Sequence, residues 1–179
     1  MRTHVTATLA LAALLTTGAL APPATATAPA GHTTSAANIV PTASTTRVTT
    51  AKKKHRLIEK YVLVRVNKAR ARAGLKKLER STTIVKVARR WSATQARRGE
   101  LAHNPSYASQ IPRGWTRASE NVAWTSATGT PKKLAKRIVR LWLRSSGHRA
   151  NILGTHYTTT GIGVARSRHG WYFTQNFSD

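Results

Sequence analysis

Apolar residues recur at helical spacing in three stretches of the chain. Between residues 57 and 73, Leu57, Ile58, Tyr61, Val62, Val66 and Ala69 share a face, while Arg65, Lys68, Arg70 and Arg72 fall largely on others. Gly74 is placed to close that helix. A second helix is predicted from Ser81, a good N-cap, with Ile84, Val87, Ala88, Trp91 and Gln95 along one stripe and a stop before Gly99. A third opens at Thr130 with Pro131 in its first turn and carries Leu134, Ile138, Leu141 and Trp142 at i, i+4, i+7 and i+8. The pattern then turns strand-like: residues 160–166 and 171–177 flank Arg168-His169-Gly170 and predict a β-hairpin. Gly161 and Gly163 on one strand imply that another backbone or a bulky aromatic packs tightly over it. Residues 121–124 form a further extended piece able to pair with the hairpin. Helices grouped around a small antiparallel sheet make this a layered α+β domain rather than a doubly wound one.

Upstream the pattern is different. Arg2 and His4 precede an apolar run from Val5 to Leu20, followed by overlapping Ala-x-Ala triplets ending at Ala26 and Ala28. The run is short of the roughly 20 apolar residues needed to span a bilayer, so it predicts a secretory signal peptide over residues 1–26. Proline after Ala21 and after Ala28 disfavours cutting there and leaves Ala26. Residues 27–54 are rich in Thr, Ala and Ser, lack periodicity and carry little large apolar surface, the composition of a disordered tether. The folded domain is expected over residues 55–179. The mature protein is expected to be secreted, extracellular or envelope-associated, with no membrane span after processing.

Composition narrows the chemistry. In 179 residues, 30 Lys and Arg face 5 acids, a formal charge of +25. The acids are Glu59, Glu79, Glu100, Glu120 and Asp179, too few for calcium cages, two-metal phosphodiester sites or aspartyl dyads. With no cysteine there is no disulfide, thiol nucleophile or thiolate metal site. No Gly-rich phosphate loop or Gly-x-Ser-x-Gly elbow occurs either. Basic pairs such as Lys76-Lys77, Arg89-Arg90, Arg97-Arg98, Lys132-Lys133 and Lys136-Arg137 are too dispersed for a sequence-specific nucleic-acid reader. They suit salt-sensitive attraction to anionic envelope polymers or lipid headgroups, or a general solubilising surface.

Among the histidines, His4 lies in the signal, His32 in the tether and His55 at the domain edge. His103 follows the second helix and His148 the third, with Glu120 between them in Ser119-Glu-Asn-Val-Ala-Trp124. His156 and His169 read as loop residues. Trp91 and Trp142 lie on apolar faces and read as core, whereas Trp115 and Trp124 are candidates to line a ligand groove.

The order Val66-Asn-Lys-Ala-Arg70, Gly74-Leu75, Trp91, His103, Glu120-Asn121, Trp142-Leu-Arg-Ser-Ser-Gly-His-Arg-Ala-Asn-Ile-Leu153 and Gly161-Ile-Gly-Val164 resembles the CAP superfamily, the cysteine-rich secretory protein, antigen 5 and pathogenesis-related 1 group, in its short bacterial form. The resemblance runs from about residue 57 to 177 and implies an α-β-α sandwich with an open cleft. It also implies two histidines and two acids around that cleft. His103, Glu120 and His148 match three of them; the second acid is missing, its place falling at Ser145, beside Arg144 and Ser146. Ser119 stands where Gly usually precedes Glu-Asn.

The cleft expected from this resemblance is His103, Glu120, Asn121, Ser145 and His148. Two neutral imidazoles, His103 and His148, suit a divalent metal such as zinc, with modest affinity because the surrounding charge opposes another cation and one acid is missing. The first functional expectation is a non-catalytic binding protein, whose cleft holds a divalent metal or small ligand and whose basic exterior binds anionic envelope material. Some relatives are reported to bind sterols or lipids, which extends the ligand class to small apolar molecules. One alternative is a metal-dependent hydrolase of peptide or envelope polymer, with Glu120 as general base and His103 and His148 as ligands or proton carriers. Another is a nonspecific extracellular polyanion or nucleic-acid binder. Glu120 and Asn121 also admit a purely structural reading, as acceptor and donor for buried backbone groups.

Overall fold

A computed structural model describes residues 43–179. The expected signal peptide and the tether as far as residue 42 lie outside the described residues. Helix α1 spans Ala43–Arg72, so it starts well inside the segment read as a tether. Residues 46–53 of this extension are exposed. Its one large apolar residue is Val48, so it carries no stripe for a periodicity argument to detect. Thr49 and Thr50 donate their hydroxyls to the Thr46 carbonyl, at 2.8 and 2.9 Å, a rotamer that a helix accommodates.

The buried stripe of α1 is Ile58, Val62 and Val66, each fully enclosed, and it continues through Arg70, which is 1% exposed. That placement corrects the reading of Arg70 as an outward charge. Its guanidinium donates to the carbonyls of Lys76, Ile152, Gly154 and Tyr157. A fixed fork of donors satisfies acceptors that an apolar residue would leave stranded.

The two-residue strand β1 (Glu79–Arg80) leads into α2 (Thr82–Arg98). Ser81 caps α2 by accepting from Ile84 N, and Gly99 closes it with φ 71°. After the short α3 (Tyr107–Gln110) come β2 (Ala118–Thr125), α4 (Pro131–Arg144) and α5 (Ser146–Leu153). The hairpin β3 (Thr159–Ser167) and β4 (Gly170–Ser178) completes the domain. Thr130 caps α4 as expected, but Leu141 points outward at 41% exposure, because the buried stripe is Leu134, Ile138 and Trp142.

The sheet order is β1-β3-β4-β2, antiparallel except for the short parallel β1–β3 pair. One face carries Ile162, Val164, Phe173 and Phe177 into a core with α1 and α4. The other receives α2, and here the glycines act: a Cβ on Gly161 would lie 2.3 Å from the backbone of Ile84 and Val85, and one on Gly163 2.2 Å from Ala88. The partner implied by these glycines is therefore a helix backbone. With α1 and α4 on one side and α2 on the other, the domain is an α-β-α sandwich.

Candidate functional site at the β2 edge

Glu120 stands near the start of β2 on the α2 face, opposite Asn176 of β4. Its side chain is 1% exposed, and each oxygen is engaged. Oε1 accepts from His103 Nδ1 at 2.9 Å and from Asn104 N at 2.8 Å, while Oε2 accepts from Asn176 Nδ2 at 3.1 Å. Such a set of donors is matched to an ionised carboxylate. Because the carboxylate only accepts, the imidazole must carry its proton on Nδ1, leaving Nε2 of the neutral ring as a free acceptor. The His103 side chain is 59% exposed.

The loop after α2 is itself held in place. Trp91 Nε1 donates to Ala102 O at 2.8 Å, and Gln95 Oε1 accepts from Ala102 N at 3.2 Å. Trp91 is accordingly half-buried, a clamp on the residue before His103 rather than part of the core. Asn104, 3% exposed, turns its amide to Ser106 N and Gln110.

His148 arrives from the first turn of α5. Asn121, fully buried, donates to the His148 carbonyl at 3.1 Å and accepts from Asn151 Nδ2 at 2.9 Å. Asn151 also reaches Glu120 O at 3.3 Å. These bonds fix α5 to β2 and bring the two rings to a centroid separation of 6.3 Å, tilted by 43°. Burial, then the neighbouring His103, push the His148 pKa below the ordinary imidazole value. Near the same carboxylate, Tyr107 donates to Ala118 O, and burial followed by the Glu120 charge raises its pKa.

The structure thus brings His103, Glu120, Asn121 and His148 together. Ser145 does not join them through its side chain. It sits at the α4–α5 junction, with its N–H on Leu141 and Trp142 carbonyls and its own carbonyl accepting from Arg149 N. Trp115 packs against Ile84, Val87 and Ile111, and Trp124 is 40% exposed about 13 Å further along β2 from Glu120. His156 lies edge-on to Tyr157, and His169 occupies the hairpin turn, beside Arg168. The sequence reading missed Asn104, Asn151 and Asn176. The adjacency of Asn104 to His103 was a usable signal, whereas Asn176 becomes visible only once the β2–β4 register is known.

The donor set admits a metal only in a limited way. Among the described residues no group of three or more His, Cys, Asp or Glu is placed to hold an ion. Both Glu120 oxygens are already engaged, which leaves two imidazoles. Two rings on one tetrahedral zinc would have centroids about 5 Å apart, so the 6.3 Å separation must shorten. The exposed His103 has room to turn. Its Nδ1–H on a carboxylate is the arrangement that orients a metal-binding histidine. The residues therefore fit a weak two-histidine site completed by solvent.

The described cavities lie elsewhere, the two at the α1–α2 junction holding about 460 and 550 Å³. The sequence model of the CAP family, the cysteine-rich secretory protein family, matches residues 63–177. The chain belongs to the CAP family. It is 32% identical over 126 residues to two proteins of Bacillus subtilis strain 168, the uncharacterized protein YkwD and the uncharacterized membrane protein YlbC. The match covers 66% of this chain but only 46% and 34% of theirs. Among solved structures, an outer surface protein of Borrelia burgdorferi superposes with a TM-score of 0.59 at 17% identity, covering 68% of this chain and 92% of that one. An extracellular SCP-domain protein of Bacillus anthracis gives 0.55 at 25%, covering 69% and 41%. These likenesses place the CAP domain on its α-β-α fold. No helix among the described residues is long and apolar enough to cross a membrane.

Proposed function

We propose that this CAP domain is a secreted binding module rather than a hydrolase. The observation that supports this reading is the enclosure of Glu120. A general base must reach the water whose proton it takes, yet this side chain is 1% exposed, with both oxygens already accepting from protein donors. Neither histidine ring is hydrogen-bonded to a hydroxyl among the described residues, so no activated nucleophile accompanies them. What the cleft offers to solvent is His103 Nε2 and the half-buried His148 ring, a two-point acceptor for a divalent metal such as zinc or for a small ligand with donor groups.

Two sequence features complete the reading. The apolar run before the Ala-x-Ala triplets would export the chain, and a charge of +25 would hold it on anionic envelope material by charge neutralisation. The B. anthracis relative is an extracellular protein and the B. burgdorferi one an outer surface protein, which agrees with that destination.

Calorimetric zinc titration of the mature chain, against His103→Ala with His148→Ala, tests the cleft. Weak binding lost in the double variant is the expected result. Metal-dependent turnover of a peptide or glycan library, abolished in the same variant, would overturn the binding-only reading.

A further inference from the structure

The edge of the sheet remote from Glu120 is open. Strand β1 covers only Thr159 and Thr160 of β3. Thr160 turns its carbonyl outward to Ser81 N at 3.0 Å. By the two-residue alternation of an antiparallel pair, Ile162, Val164 and Arg166 direct their backbone groups to the same side. Helices α1 and α2 flank this edge without closing it. They meet through one ion pair, in which Arg89 grips the 5%-exposed Glu59 with two nitrogens.

Three cavities follow the edge end to end. The first, about 460 Å³, is bounded by Arg56, Arg80 and Ile162. The second, about 550 Å³, shares Arg56, Glu59 and Arg89 with it and continues past Arg97, Val164 and Arg166. The third, about 520 Å³, shares His55 and Arg166 with the second and ends at Arg168. From Thr160 to Ser167 this is about 24 Å of strand. Glu59 is the one acid lining the three, and Arg89 already neutralises it.

We propose that this groove is a track for a single linear polyol-phosphate chain, with Arg56, Arg80, Arg97, Arg166 and Arg168 as its phosphate contacts. The proposal rests on the retention reading above and assigns it a place. Several features select this occupant. Guanidinium groups dominate the lining, and their planar forks match phosphate oxygens two at a time. The charge is arranged along a line rather than in one pocket, which suits a repeating anion. A single nucleic-acid strand would need aromatic faces on which to stack its bases. The aromatic residue of the lining, Trp171, is 2% exposed and covered by Lys54 and Arg166, each 5.2 Å from its ring.

Binding of the mature chain to fluorescently labelled poly(glycerol phosphate) tests the assignment over a series of salt concentrations. Arg56→Gln with Arg166→Gln should weaken binding about tenfold and lower the salt slope by about 1.4. Lys136→Gln with Arg137→Gln, the same charge loss on the exposed side of α4, should leave both unchanged. Because Arg166 stacks on Trp171, Arg56→Gln with Arg97→Gln serves as a second groove variant with the stack intact, and it should weaken binding similarly. Equal weakening by the groove and α4 pairs would overturn the track and leave diffuse retention standing. No binding by the unmodified chain at low salt would overturn both. Equal affinity for oligo(dT) or poly-glutamate would overturn the polyol-phosphate assignment.

Discussion

His103 Nδ1 and Glu120 Oε1 are joined at 2.9 Å in a pair whose carboxylate is enclosed and whose imidazole faces solvent. The two partners should therefore differ in what they contribute to stability. Glu120→Ala strands two buried donors, Asn104 N and Asn176 Nδ2, and should cost about 2–4 kcal/mol. His103→Ala leaves Oε1 with the Asn104 bond and should cost less than about 1 kcal/mol. Glu120→Gln should fall between them. Asn176 Oδ1 is buried without a partner, so a reversed Asn176 amide can accept from the new Gln N–H. Urea unfolding of the three variants checks this order, and a neutral Glu120→Ala would remove the scaffold role.

The contact of β3 with α2 leaves no space for a side chain. Gly161→Ala and Gly163→Ala each place a Cβ within 2.3 Å of α2 backbone atoms, which cannot swing aside as a flexible side chain can. Overpacking of this kind costs about 1–3 kcal/mol or more. Gly147 provides the contrast: nothing lies within 4 Å of its Cβ position and it sits in the first turn of α5, at negative φ. Gly147→Ala should stabilise by about 0.4–1 kcal/mol, chiefly by narrowing the unfolded ensemble. Thermal melting of the three variants should give two losses and one gain.

Arg70 ties the end of α1 to the α5–β3 connection through the Ile152, Gly154 and Tyr157 carbonyls. Burial holds its pKa below the usual guanidinium value, yet the group stays charged at any ordinary pH. Arg70→Ala should cost about 3–5 kcal/mol, because it strands several carbonyl acceptors, each at about 1–3 kcal/mol where it stays buried. Arg70→Lys should recover only part of it, because one ammonium cannot reach carbonyls arranged for a fork. Full recovery by Lys would show that charge alone matters at this position.

Arg70 also marks what the sequence could and could not show. The elements with a regular apolar period, α2, α4 and the hairpin, are legible because burial imposes that period. Their caps, Ser81, Thr130 and Gly99, are legible because helix ends require particular residue types. A buried arginine has the same letter as an exposed one, and it sits among Arg65, Lys68 and Arg72, which obey the surface rule. The N-terminal part of α1 escaped because a helix that buries nothing leaves no pattern. Of the site, His103, Glu120 and His148 were recognised through their order along the chain. Asn176 was not, because it lies across from Glu120 only through strand register. Ser145 was drawn in by its position in the family pattern, but its backbone, not its hydroxyl, is what the junction uses.

His55 lies edge-on to Trp171 at 5.5 Å, between α1 and the hairpin. Burial is the largest influence lowering its pKa; Glu59 opposes this, while Lys54, Arg89 and Arg166 add to it. The folded value is thus below the ordinary 6.5, and the unfolded chain binds more protons as pH falls through that region. Stability contributed by the neutral ring is therefore complete above 6.5 and declines as pH drops below it. His148 has the same sign. The melting temperature of the mature chain should fall between pH 7.5 and 5, and His55→Gln should flatten part of that fall. Protonation also raises an already large positive charge, a repulsion that salt screens. Repeating the series at high salt separates the two effects, since the desolvation of His55 persists there. A melting temperature that is flat or rises toward pH 5 would show that His55 accepts its proton in the folded state as readily as in the unfolded one.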